Sequence, residues 1–230
     1  MAIVCATVRV TIPCDFDSVM KTLFKVMVAL VAVAVLSILF VRSVRSTGAE
    51  PFTIPRAHLA GWTLALSPAG DPLGSLIAMT PRPEMLPPLS RELFSRMGES
   101  LHYPQAALPL VLRAEFDRAI AGVIMPEAIL GLARQAGLES ATMRPRCMAR
   151  RRDSAPGVLR GVFFLVFDLP QFGQFRELVA ESLRGAGGAS LFDPAALSPV
   201  VIAADLDGSA ARWLPLRVAE SDCFAPIVVE

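Results

Sequence analysis

Val162-Phe163-Phe164-Leu165-Val166-Phe167 is apolar at every position, with no alternation between a wet and a dry face. So short a run, made of β-branched, aromatic and leucine side chains, reads as a strand rather than a helix. A strand that is apolar on both sides must be covered on both sides, which predicts the centre of a sheet with material packed above and below it.

The neighbouring sequence builds outward from that strand. Residues 139–151 read as a preceding strand, joined to one over 159–168 by the turn Asp153-Ser154-Ala155-Pro156-Gly157. After it, Pro170 opens a helix in which Phe172, Phe175, Val179 and Leu183 form an apolar stripe. Arg176, Glu177, Glu181 and Arg184 are assigned to its solvent side, and the glycines from 185 to 188 end it. Residues 197–204 form another apolar strand, and Asp207 is placed to cap a short helical turn reaching Trp213. Residues 214–218 and 227–229 are short strand candidates. Upstream, Met125-Pro126-Glu127 opens a helix with Ile129, Leu132, Ala133 and Ala136 on one face and Gly137 at its end. The order predicts an α+β fold: a single globular domain with a mostly antiparallel sheet and helices packed on it.

Residues 51–109 are a proline-rich part of that domain, ahead of the regular part at 110–230. Prolines at this density exclude long helices, because each removes a donor and clashes with the preceding turn. Short elements fit: strands at 62–66 and 74–80, and a helix over 90–97 stopped by Gly98. Pro81-Arg82-Pro83-Glu84-Met85-Leu86-Pro87-Pro88 suits a polyproline II segment. Residues 108–116 are ambiguous between strand and helix by period, and 117–123 continue them.

Before the domain stands Leu-Phe-Lys-Val-Met-Val-Ala-Leu-Val-Ala-Val-Ala-Val-Leu-Ser-Ile-Leu-Phe-Val, residues 23–41. It carries no charge after Lys25, and its length approaches a bilayer's hydrocarbon thickness, about 30 Å, once the flanks snorkel. A single N-terminal transmembrane signal-anchor helix is expected there, followed by a linker over 42–50. Met20-Lys21-Thr22 has the form of a bacterial export signal's start, so Met20 is a candidate first residue and residues 1–22 a short tail. Lys21 and Lys25 flank the run on its N-terminal side, which favours a cytoplasmic N-terminus, although Arg42 and Arg45 weaken the asymmetry. The small residues Thr47-Gly48-Ala49 make cleavage before Glu50 the rival reading. The expected location is a bacterial inner membrane, single-pass, with the domain periplasmic or otherwise extracytoplasmic.

An oxidising compartment gives the cysteines meaning. Cys5 and Cys14 precede the apolar run, whereas Cys147 and Cys223 share the domain, and these two are predicted to be disulfide-bonded.

Bulk charge gives no sign of a nucleic-acid partner, and none is expected: from residue 46 onward the chain has 17 arginines and no lysine against 19 acids. Gly-x-Ser-x-Gly, Ser-x-x-Lys, His-Glu-x-x-His and a glycine-rich phosphate loop after a strand are all absent from the sequence. Two histidines and no Cys-x-x-Cys give no zinc site, so no metal and no cofactor is expected. The most concentrated polar feature is the basic run in which Arg144, Arg146, Arg150 and Arg152 share one strand face, a candidate grip for an anionic ligand. Its plainer reading is a solvated face guarded against edge pairing. Asp205-Leu206-Asp207-Gly208 resembles a calcium-loop fragment without the remaining ligands, with Asp193 and Asp222 as further acids to place, and is read as a strand end with a helix cap. His102, Asp205 and Asp207 are the candidate acid–base residues, and Tyr103 beside His102 is placed in a loop that borders a groove. His58 lies near the start of the domain.

These features predict a membrane-anchored domain that acts by binding, in envelope assembly or as a scaffold, with the membrane and another envelope or membrane protein as partners. The alternatives are a membrane-tethered enzyme acting on an envelope substrate and a lipid-binding domain.

Overall fold

A computed structural model of the chain describes residues 24–39, 50–153, 160–186 and 191–230, and the chain divides into two units, Met1–Ser46 and Thr47–Glu230. In the first unit, residues 24–39 form a helix, α1, every residue of which is exposed. The Ser37 hydroxyl donates to the Val33 carbonyl at 2.8 Å, so the one neutral polar side chain of α1 is satisfied within the helix. At about 1.5 Å per residue α1 is about 24 Å long, short of a hydrocarbon core of about 30 Å. No helix among the described residues is long and apolar enough to cross a membrane, so a transmembrane helix over 23–41 is not supported by the described structure. The expectations for the 1–22 tail, Met20, Cys5, Cys14, cleavage near Ala49 and the turn at 154–157 lie outside the described residues.

The second unit runs β1 (Phe52–Ile54), β2 (Thr63–Leu66), β3 (Ser75–Thr80), α2 (Leu86–Met97), β4 (Leu108–Leu112) and α3 (Arg113–Ala119). It continues α4 (Pro126–Gln135), β5 (Arg144–Arg152), β6 (Gly161–Asp168), α5 (Pro170–Gly185), β7 (Val200–Asp205) and β8 (Cys223–Val229). Single 3-10 turns occupy Arg56–Leu59, Leu138–Ser140, Ala210–Trp213 and Glu220–Asp222. The fold is mixed α+β.

The strand quoted first is the middle of β6, which lies between β5 and β7 in a five-stranded sheet of order β1-β8-β5-β6-β7. Its faces divide as their period of 2 requires. Phe163, Leu165 and Phe167 join the larger core with α2, α4 and α5, while Val162, Phe164 and Val166 join a smaller core closed by Ala210 and Leu216. Each fully buried Phe contributes about 1.5–3 kcal/mol of apolar transfer. Only the β1–β8 pair is parallel. The expectation of one sheet is corrected: β2, β3 and β4, all within 51–112, form a separate three-stranded antiparallel sheet.

Several boundaries differ from expectation for visible reasons. α2 starts at Leu86, with Pro87 and Pro88 inside its first turn, where a missing N–H costs nothing, so the polyproline II expectation fails over its last residues. Gly98 and Gly137 adopt φ of 64° and 76° and end the helices that precede them, as expected. The 108–116 ambiguity is resolved as a strand followed directly by a helix. Residues 214–218 form no strand; they pack Leu214, Leu216 and Val218 onto the smaller core.

The largest correction concerns Arg176, which is wholly buried rather than solvent-facing. Its Nη2 donates to Glu115 Oε1 at 2.7 Å and to the Asp193 carbonyl at 2.8 Å. Nε donates to the Pro194 carbonyl at 2.8 Å and Nη1 to the Leu110 carbonyl at 3.0 Å. Glu115 Oε2 also accepts from the Leu112 amide at 3.1 Å, so one carboxylate caps α3 and neutralises a cation from α5.

Cys147 and Cys223 form the predicted disulfide, linking β5 to the start of β8 with Cα atoms 5.8 Å apart and 76 residues of separation. The turn beside it is held by Arg151, which donates to Asp222 Oδ2 at 2.5 Å and to the Arg217 carbonyl at 2.8 Å.

Candidate functional site

His102 and Asp205, far apart in sequence, are brought together as backbone partners at the end of β7. The His102 amide donates to the Asp205 carbonyl at 2.8 Å, and the Asp205 amide donates back at 2.9 Å. The Asp205 carboxylate is 1% exposed, and its Oδ1 accepts the amides of Asp207 at 3.2 Å and Ser209 at 2.9 Å. Asp205, not Asp207, therefore builds the turn after β7. Asp207 turns its Oδ2 toward Arg212 at 3.3 Å and Arg160 at 3.7 Å. The His102 imidazole is exposed and lies over Gly208. These side chains are held by turn contacts and ion pairs, and none of them lines the two grooves described below. Asp193 and Asp222 sit elsewhere, paired to Arg217 and Arg151, and no group of His, Cys, Asp or Glu suited to a metal is found among the described residues.

The arginines of β5 do not all share a face. A bulge between Pro145 and Cys147 leaves Arg146 outside the register with β6, where it approaches Glu220 at 3.8 Å. Arg150 lies over the Phe224 ring at 5.5 Å, and Arg152 donates to Glu99 Oε1 at 2.9 Å. Both are spoken for within the domain. Arg144, at the start of the strand, has no carboxylate partner within ion-pair distance among the described residues.

Two open grooves stand out among the described residues. One, of about 560 Å³, is walled by Pro81, Pro83, Leu86, Pro87, Tyr103 and Pro104. The Tyr103 hydroxyl donates to the Ser90 carbonyl at 3.3 Å, and desolvation raises the phenol's pKa above its ordinary value. Phe94, 54% exposed, extends this apolar surface along α2.

The second groove, of about 640 Å³, lies between the Arg56–Leu59 turn and the start of β5. Arg56 and Arg144 line it with Leu59, Trp62, Met143 and Val229. Trp62 packs edge to face on Phe167 with centroids 5.6 Å apart, which fixes the indole, and its Nε1 is buried without an acceptor among the described residues. Sequence reasoning named Arg144 and passed over Arg56 and the groove itself, because its walls come from three separated segments with no local motif.

The chain matches no family model, no curated protein sequence and no solved structure.

Proposed function

We propose that this chain is a single-pass membrane-anchored protein of a bacterial inner membrane, its domain on the extracytoplasmic side acting by binding in envelope assembly or as a scaffold for another membrane protein. The observation that carries the reading is α1. Val26, Met27, Val28, Val31 and Leu36 are all half or more exposed, and at 100° per residue they are distributed around the whole helix. A helix apolar on every side needs an apolar surrounding, and none of its faces is suited to water. In the sequence the uncharged apolar run continues to residue 41.

The disulfide supports an oxidising compartment for the domain. Binding is favoured over catalysis because the Asp205 carboxylate is engaged by two turn amides and Asp207 by two arginines, whereas the grooves offer apolar walls to a partner. Alkaline carbonate extraction of native membranes followed by crosslinking tests the reading. Retention of the chain in the pellet, with a crosslinked adduct to a second membrane protein, is the expected result. Release into the soluble fraction without detergent contradicts it.

A further inference from the structure

We propose that the groove between the Arg56–Leu59 turn and the start of β5 binds an amphiphilic anion: one carboxylate or phosphate group on a short apolar chain. The proposal goes beyond the binding role above by naming a ligand class, and it does not depend on the anchor.

Charge supplies the first argument. Among the described residues nine arginines each stand within 4.0 Å of a carboxylate. Eight do not, and three of the eight gather at this groove: Arg56 and Arg144 on its wall, and Arg82, whose guanidinium lies against Gly61 of the same wall. A side chain at Gly61 would meet Arg82 Nε at 2.9 Å, so the bare backbone there lets the guanidinium approach. Three guanidiniums with no carboxylate within 4.0 Å among the described residues, two lining one concavity and the third against its wall, are an arrangement that an anion satisfies. The acids in the neighbourhood leave this balance standing. Glu139 lines the groove but lies 3.6 Å from Arg134. Asp168, cross-strand from Arg144, and Glu230, whose carbonyl accepts the Arg56 amide, do not line it.

The lining supplies the second. Leu59, Trp62, Met143 and Val229 give an apolar bed beside the guanidiniums. A bare inorganic anion would leave that bed wet, and a neutral apolar molecule would leave the guanidiniums unpaired. An anion carrying an apolar chain uses both.

The test uses the full chain in phosphatidylcholine nanodiscs with Trp213→Phe, which leaves Trp62 as the only tryptophan. Octanoate and octyl phosphate are expected to change its fluorescence saturably, whereas octanol and octyltrimethylammonium are not. Arg56→Gln and Arg144→Gln should each weaken binding by about tenfold, the size of one charge-assisted hydrogen bond. Arg150→Gln, outside the groove, should leave it unchanged. Ala141→Phe, which fills the groove, should abolish binding; if that variant fails to fold, the two exposed arginine variants decide. The proposal is overturned by the absence of a saturable signal, by octanol binding as well as octanoate, or by indifference to both arginine variants. Inorganic phosphate binding as tightly as octyl phosphate overturns it too, since the site would then be one for small anions.

Discussion

Every edge of the Arg176 guanidinium is occupied: a carboxylate from α3, carbonyls from β4 and from the segment before β7, and the ring of Phe192 at 4.5 Å. Such a pair holds elements in register more than it adds net stability, because both ions have been taken out of water. Glu115→Gln should therefore destabilise the domain by about 3–5 kcal/mol, leaving a buried cation without its counter-charge. The double variant Glu115→Leu with Arg176→Met should cost less than Glu115→Leu or Arg176→Met alone, and urea unfolding of all three measures the coupling. A similar contrast separates the two aspartates after β7. Asp205→Ala strips two turn amides of their acceptor and should cost about 1–3 kcal/mol. Asp207→Ala loses only partly exposed ion pairs and should stay within about 1 kcal/mol in the same assay. Neither role was legible in the sequence. Arg176 follows Phe175 on α5 and reads as a surface charge, since its partner lies 61 positions away on another helix.

At the scale of elements, hydrophobic patterning carried most of the architecture. β6 was legible because an uninterrupted apolar run admits burial on both faces, and α2 and α4 ended at the glycines that local chemistry requires. Register was not legible. The bulge after Pro145 takes Arg146 out of the ladder with β6, and no residue pattern in β5 announces it. The separate sheet of β2, β3 and β4 was hidden for a related reason: the proline-rich sequence marks where helices cannot run, not which strands pair. The disulfide was readable because two cysteines share the domain, and its effect is measurable. Cys147→Ala with Cys223→Ala should lower stability by about 4 kcal/mol, from the entropy restored to the unfolded chain. Reducing agent should shift the denaturation midpoint of the parent and leave that of the double variant unmoved.

For the whole molecule, the account joins an apolar helix at the front to a disulfide-stapled domain behind it. The proposed tether to a bilayer would raise the domain's effective concentration for anything else confined there, so that grooves of modest affinity would suffice for the proposed binding role. Without α1 and its flanks the domain should lose that advantage: replacing residues 1–45 with a cleaved export signal should leave the disulfide and the fold intact while abolishing crosslinks to membrane partners, as gel mobility without reductant and pulldown together report. Sidedness is the claim on which the rest depends, and protease added to intact spheroplasts tests it most directly. The account predicts that the domain is digested from outside while a cytoplasmic control protein survives; a chain that stays intact until the membrane is lysed, in a form the same protease cleaves readily once released, contradicts it.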